Sequence, residues 1–200
     1  MLGVLDNYKN SNDPKMSDPK NVLPYHRFIE ICKFTFGQRS HLGDSIIDQE
    51  YAEEINEVIY SQLLNSTYWK EIFEKIDDDR TYSDPAYYGE RDGKNFHGTS
   101  HMGIINKKDG NSVSITASVN TVFASKIRGR RTGIIFNNHM DDFSLPTGEE
   151  NYFDIEPSAT NFIKPGKRPQ SSMMPIIIKD SVNGLTKMVI GGTGGSRIPS

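Results

Sequence analysis

The sequence has little of what marks a disulfide-stabilised, membrane-spanning or nucleic-acid-binding chain. It holds one cysteine in 200 residues, Cys32, so no disulfide can form within the chain, and its apolar helical surroundings predict a small buried side chain. No signal-peptide pattern and no apolar run of about 18 residues occurs. The formal net charge is −3, and no stripe of lysine and arginine carries interleaved aromatic residues, which argues against nucleic acid as a partner. The basic run 126–131 is interpreted as a solvated loop.

Metal and nucleotide sites are not indicated either. The histidines lack metal-ligand spacing and have no cysteine partners; they are His26, His41, His97, His101 and His139. The Gly-rich turn 191–195 is not a dinucleotide fingerprint, because a pattern that began at Gly192 would need glycine at position 197, where Arg197 stands. We therefore expect the protein to use no cofactor.

Helical patterns come first along the chain and strand patterns later. After a polar linker, apolar spacing predicts helices at 24–40, at 48–64 and in a short segment capped by Ser66 or Thr67. A turn-rich loop, 78–98, is followed by two predicted hairpins, which pair 102–105 with 113–117 and 175–178 with 187–190. Helices followed by antiparallel strands predict a layered α/β (α+β) class.

The junction between the turn-rich loop and the first predicted strand suits one particular chemistry. If the Gly98–Thr99 peptide bond breaks, Thr99 gains a free α-amino group that can serve as the base for its own hydroxyl. The alternative is an ordinary threonine at the edge of a hairpin. The junction alone does not decide between these two interpretations.

Four motifs follow this junction in a specific order, and together they carry a resemblance. They are Ser118-Val119-Asn120, the run 136–143 (Phe-Asn-Asn-His-Met-Asp-Asp-Phe), the run 165–173 and the glycine-rich 191–195. This series resembles γ-glutamyltransferase (γ-glutamyl transpeptidase, glutathione hydrolase), a family of the N-terminal-nucleophile hydrolases. The upstream segment 25–44 also resembles the large subunit of that family ahead of its cleavage loop.

The resemblance implies an αββα sandwich, incomplete in this chain. Residues 1–98 would be the C-terminal part of a large-subunit-like region, and 99–200 the N-terminal part of a small-subunit-like, catalytic region. The chain is accordingly expected to be a piece of a longer enzyme, a heterodimer of two cleaved subunits. The family also implies a plasma-membrane or extracellular location, although this chain shows no targeting segment.

The same resemblance implies catalytic roles at matching positions. Thr99 would be both the point of self-cleavage after Gly98 and the nucleophile. Ser118 stands where the family usually has a threonine that hydrogen-bonds the nucleophile. Gly194 and Gly195 would form the oxyanion hole through their backbone N–H groups.

Substrate contacts follow from the resemblance too. Asn120, His139 and Asp142 stand where the family holds the substrate α-ammonium, and Ser171 and Ser172 where it holds the α-carboxylate. Family members commonly carry Glu or Gln at position 139; a neutral histidine accepts a hydrogen bond from ammonium, whereas a protonated one repels it. The family's carboxylate-binding arginine is not assigned to any residue here.

The implied function is hydrolysis and transfer of γ-glutamyl bonds through a γ-glutamyl ester of Thr99. The partners would be glutathione and other γ-glutamyl compounds, with amino acids or dipeptides as acceptors. The alternative is a catalytically inactive fragment or non-enzymatic relative with a binding or regulatory role. Position 139 and the unassigned arginine favour that alternative; Thr99, the serine pair and the glycine pair favour the enzyme.

Overall fold

The structure is a computed structural model that describes residues 1–11, 13–18, 20–89, 99–152 and 155–199. The chain divides into two compact units. The helical unit comprises Met1–Asp92, Ser144–Glu149 and Glu156–Arg168; the hairpin unit comprises Gly93–Phe143, Glu150–Ile155 and Pro169–Ser200. Two segments from the second half of the chain, 144–149 and 156–168, thus pack with the helices of the first half.

The described part of the helical unit holds four α-helices. They are α1 (Leu2–Asn10), α2 (Leu23–Arg39), α3 (Ala52–Glu57) and α4 (Ser66–Lys75), with a π-helical turn at Val58–Leu63 and 3₁₀ turns at Pro14–Ser17, Pro85–Tyr88 and Ala159–Asn161. The helix predicted at 24–40 is confirmed as α2, with proline at its start, where no N–H partner is needed.

Two sequence expectations for this unit are wrong in detail. The helix predicted at 48–64 begins only at Ala52, because Asp48 is held in ion pairs within the turns that precede it. The cap of α4 is Asn65, rather than Ser66 or Thr67: its Oδ1 accepts from the Thr67 N–H at 2.8 Å, which satisfies one of the unpaired N–H groups of the first turn.

The apolar core of the helical unit lies where α1, α2 and α4 meet. Its buried side chains are Val4, Tyr8, Ile31, Phe34, Ile72 and Tyr88. Aromatic rings meet edge to face, with centroids 4.5 Å apart for Tyr8 and Phe73 and 4.9 Å apart for Phe34 and Tyr88. Cys32 is half-buried on α2, and burial raises the pKa of its thiol, as suits a packing residue.

A cluster of ion pairs ties the segment 156–168 to the turns before α3. We call it the ionic cluster: Asp44, Asp48, Lys164, Lys167 and Arg168. Arg168 Nε and Nη2 donate to Asp44 at 2.8 and 2.9 Å. Lys164 Nζ lies 2.6 Å from Asp48 Oδ1, and Lys167 Nζ pairs with Asp48 Oδ2. Ion pairs thus connect the two parts of the chain on this side of the unit.

Two antiparallel hairpins make up the sheet structure of the hairpin unit. Strand β1 (Thr99–Ile105) pairs with β2 (Ser112–Ser118), and β3 (Ile176–Lys179) pairs with β4 (Thr186–Ile190). Both predicted hairpins are confirmed, and β1 begins at Thr99, the junction residue that follows the turn-rich loop. The basic run 126–131 is mostly exposed, in line with a solvated loop.

The hairpins contact each other through small and polar side chains. A Cβ at Gly103 would lie 2.8 Å from Val189 Cγ1, so glycine lets β1 approach β4 closely. Ser112 Oγ lies 2.9 Å from Thr186 Oγ1, and Ser114 Oγ donates to the Ile190 carbonyl at 3.2 Å. Helices first and antiparallel strands later confirm the predicted class, and the described strands form hairpins rather than the complete sheets of an αββα sandwich.

Candidate active site

Thr99 and Ser118 lie opposite each other at the open end of the first hairpin. Thr99 is the first residue of β1, Ser118 is the last of β2, and their Cα atoms are register partners. Directly opposed residues place their Cβ atoms about 4.5–5.5 Å apart on one face of the sheet. Ser118 Oγ accepts from the Asn120 N–H at 2.9 Å, which fixes the hydroxyl. Gly98, the other residue of the predicted cleavage bond, lies outside the described residues.

The next pair on the same face is His101 and Thr116. His101 Nδ1 lies 2.9 Å from Thr116 Oγ1, and its buried Nε2 has no hydrogen-bond partner among the described atoms. A Cβ at Gly191 would lie 2.1 Å from the imidazole ring, so the ring lies against the backbone of the glycine-rich turn. The histidine therefore sets how closely that turn approaches β1.

Asn120 turns the chain after β2 by adopting a left-handed conformation. Its φ is 80°, a value that asparagine tolerates better than most residues. The side chain is buried, donates to the Asn138 carbonyl at 3.3 Å and also hydrogen-bonds Asp142. Asn120 therefore links the end of β2 to the segment that carries His139 and Asp142.

His139 and Asp142 occupy the two ends of a single 3₁₀ turn, His139–Asp142. His139 Nδ1 lies 2.7 Å from Asp142 Oδ2, and Nε2 lies 3.2 Å from the Ser118 carbonyl oxygen. Burial raises the pKa of the Asp142 carboxyl, and hydrogen bonds from His139 and Asn120 oppose this rise. Four predicted site residues, Ser118, Asn120, His139 and Asp142, are thus joined directly.

The serine pair lies in irregular chain ahead of β3. Ser171 is exposed, and its Oγ accepts from the Met173 N–H at 3.1 Å, within its own turn. Ser172 is half-buried. Their role in binding a carboxylate stays a prediction.

Gly194 and Gly195 form the turn that follows β4. Gly194 has φ 136° and Gly195 φ 60°, values at which a side chain would be strained. Their carbonyl groups accept from the N–H groups of Arg197 and Ile198, at 3.2 Å each. Because the carbonyl groups make the hydrogen bonds of this turn, its backbone N–H groups can point at a developing oxyanion, as an oxyanion hole requires.

Within the described ranges, no group of three or more His, Cys, Asp or Glu side chains is arranged to hold a metal ion. Among the helices that the structure describes, none combines the length and the apolar character that crossing a bilayer demands.

Sequence reasoning missed Thr116 and Asn138 as supports of the site. Thr116 contacts His101. The backbone carbonyl of Asn138 accepts a hydrogen bond from the Asn120 side chain. The Asn138 side-chain oxygen accepts from the Thr121 N–H at 3.2 Å and from the Thr121 hydroxyl at 3.1 Å. Strand alternation could have found Thr116, two residues before Ser118. No local signal marks Asn138, because its contacts depend on the fold of the loop before it.

The chain is similar in sequence to several known proteins. The family model described as Gamma-glutamyltranspeptidase matches residues 1–200. Scoloptoxin SSD14 of Scolopendra dehaani is 39% identical over 201 residues, which cover 100% of this chain and 33% of that protein. Glutathione hydrolase proenzyme 1 of Schizosaccharomyces pombe is 43% identical over 175 residues, covering 86% of this chain and 26% of the relative. The chain thus spans a third or less of these two relatives.

Two further matches are a relative whose name calls it inactive and a solved structure. Putative inactive glutathione hydrolase 4 of Arabidopsis thaliana is 43% identical over 145 residues, covering 71% of this chain and 73% of that protein. Among solved structures, a mutant gamma-glutamyltranspeptidase of Pseudomonas nitroreducens is 43% identical, with a TM-score of 0.45 and coverage of 49% of each chain. Because the family model covers every residue from 1 to 200, the chain belongs to the gamma-glutamyltranspeptidase family.

Proposed function

We propose that the protein hydrolyses and transfers γ-glutamyl bonds, in glutathione and in other γ-glutamyl amides, with Thr99 as the nucleophile. The observation that carries this proposal is the place of Thr99 at the first residue of β1, paired with Ser118. The chain's family membership and the glutathione hydrolase names of its relatives support it. We also propose that the protein is located at the plasma membrane or outside the cell, as the family resemblance implies.

The first step is self-cleavage. The Thr99 hydroxyl attacks the Gly98 carbonyl carbon, the C–N bond breaks, and the acyl group moves from nitrogen to oxygen. Water then hydrolyses the ester, which leaves a carboxylate on Gly98 and a free α-amino group on Thr99. The two resulting subunits form the active heterodimer. Ser118 supports the step, because its fixed hydroxyl lies opposite the attacking one.

The same hydroxyl then attacks the γ-carbonyl of the substrate, and its proton passes to the Thr99 amine. The N–H groups of Gly194 and Gly195 stabilise the tetrahedral oxyanion. Collapse releases the amine with that proton and leaves a γ-glutamyl ester. Water, or the amine of an amino acid or dipeptide, attacks the ester and regenerates the hydroxyl.

Substrate recognition in this scheme divides between two groups of residues. Asn120 and Asp142 receive the α-ammonium, and Ser171 and Ser172 donate to the α-carboxylate. Asp142 is only 17% exposed and lies in the cluster that includes Ser118, which supports a place beside the nucleophile.

A second candidate is a catalytically inactive relative that binds or regulates. The observation that favours it is the His139–Asp142 pair, which already engages the carboxylate meant for substrate. One relative carries the name putative inactive glutathione hydrolase.

The full-length protein tests these candidates. It should run as two bands, the smaller beginning Thr-Ser-His, and should release the anilide from a γ-glutamyl anilide. Thr99→Ala should abolish cleavage and lower kcat by about 10⁴-fold or more, because one hydroxyl serves both steps. Ser100→Ala, at the exposed neighbouring position, is the matched control and should behave as wild type. A folded, uncleaved and inactive wild-type protein would favour the second candidate.

A further inference from the structure

The His139 ring is held between two oxygen acceptors. Nδ1 lies 2.7 Å from Asp142 Oδ2, and Nε2 lies 3.2 Å from the Ser118 carbonyl oxygen. A carbonyl oxygen only accepts hydrogen bonds, so Nε2 must carry a proton. The ring therefore has no nitrogen left with which to accept a bond from a substrate ammonium, the role that sequence reasoning gave to its neutral form.

The proton count fixes the charge of the pair. If Asp142 is ionised, Nδ1 also carries a proton, and the pair is an imidazolium with a carboxylate. If Asp142 is protonated, it is a neutral acid whose O–H donates a hydrogen bond to an unprotonated Nδ1. The pair is electrically neutral in both cases. A substrate ammonium that approached Asp142 would therefore meet no net negative charge from this pair.

Of the other groups around the pair, one is neutral and one is charged. The side chain of Asn120 also hydrogen-bonds Asp142 and is neutral. The neighbouring carboxylate, Asp141, accepts from the Tyr152 N–H through Oδ2 at 3.1 Å, and its charge adds to burial in raising the pKa of Asp142. A substitution at position 139 leaves this charge unchanged. The side chains of His139 and Asp142 are 26% and 17% exposed, so solvent screens their contact only in part.

We propose that His139 is a specificity-determining residue that acts as a built-in counter-ion of Asp142, in the place of a substrate ammonium. The inference rests on the proposed function and concerns its substrate class: the pair weakens the contact of Asp142 with the α-ammonium, so γ-acyl donors that carry the α-carboxylate but no α-ammonium, such as glutaryl amides, compete with γ-glutamyl donors. A glutaryl group leaves the His139–Asp142 bond intact. A γ-glutamyl group must break it and then lies beside the displaced imidazole.

The test compares γ-glutamyl and glutaryl p-nitroanilides on the full-length protein and on His139→Gln. Glutamine cannot carry a positive charge, so residue 139 no longer balances the negative charge of Asp142. We expect His139→Gln to raise the γ-glutamyl/glutaryl ratio of kcat/KM by about 10- to 100-fold, the worth of one hydrogen bond to a charged group. The change should come from a lower KM for the γ-glutamyl substrate. His41→Gln, at a histidine of the helical unit, is the control and should leave the ratio unchanged.

Binding gives an independent readout that needs no turnover. Calorimetry with free L-glutamate and glutarate should show the same rise in affinity ratio in His139→Gln. If His139 only braces its turn, both ligands weaken together and the ratio stays constant, which overturns the inference. A protein that turns over neither anilide while its binding ratio rises contradicts the proposed function and supports this inference.

Discussion

Asp48 is the centre of the ionic cluster, and its loss should cost the helical unit much of its stability. The carboxylate of Asp48 and the ammonium of Lys167 are both 0% exposed, whereas Lys164 is 33% exposed. Burial raises the pKa of Asp48, but hydrogen bonds from Lys164 and Lys167 outweigh this effect and hold the pKa below its usual range. The charge is therefore present at neutral pH.

Asp48→Asn keeps the shape of the side chain and removes its charge. Lys164 can turn to Glu50, whose Oε2 already lies 2.6 Å away, but Lys167 is left as a buried, unpaired cation. Breaking one partner out of a buried pair costs about 3–5 kcal/mol. Replacing both partners, as in Asp48→Leu with Lys167→Met, should recover most of that loss, because the desolvation penalty disappears with the charges.

Urea unfolding followed by the fluorescence of Trp69, the single tryptophan of the chain, measures the change within the same unit. Glu50→Gln is the matched control. The Glu50 side chain is 64% exposed, so its loss should cost less than about 1 kcal/mol. Equal losses in Asp48→Asn and Glu50→Gln would refute the reasoning, since buried and exposed partners would then be worth the same.

Two further predictions concern other parts of the molecule. Gly191→Ala should destabilise the protein by about 1–3 kcal/mol and slow anilide release, because the new methyl group meets the His101 ring. Gly192→Ala is the control and should change little, because the nearest atom to its new methyl group lies 3.8 Å away. Equal urea midpoints in the two variants would contradict this prediction. Hydrogen bonds from Arg168 hold the pKa of Asp44 well below its usual range, so the stability they give is present above about pH 4 and is lost as the pH falls. Urea midpoints measured across the acid range should fall less steeply in Asp44→Asn, and an unchanged slope would argue against the pair.

Local signals were enough to predict the hairpins and α2. Turn residues at 108–111 and 180–184 lie between β-branched runs, and proline begins α2, so each element is specified by neighbours in sequence. α1 and the late start of α3 were not predicted. α1 packs on α4, and the turns before α3 are held by Lys164 and Lys167, so distant residues decide both.

In the candidate site too, some features follow from the local sequence and others depend on distant residues. The order of motifs predicted which residues would matter, and pairing along β1 and β2 brings Thr99 opposite Ser118. The contact of His139 with the Ser118 carbonyl was not predictable, because it depends on a loop in which Asn120 and Lys126 have positive φ, at 80° and 58°. Position 139 could be recognised as unusual from the sequence, but its hydrogen-bond partners could not.

The ionic cluster also bears on what a cut chain would do. Asp44 and Asp48 precede the Gly98–Thr99 bond in sequence, and the three basic residues of the cluster follow it. Asp44 and Arg168 are 124 positions apart in sequence. Hydrolysis of that bond would turn these contacts from intramolecular into intermolecular ones while leaving them in place. The two products would leave the reaction already assembled, without a diffusional search for each other. Added salt should separate them poorly, because counter-ions cannot reach a pair with no exposed surface.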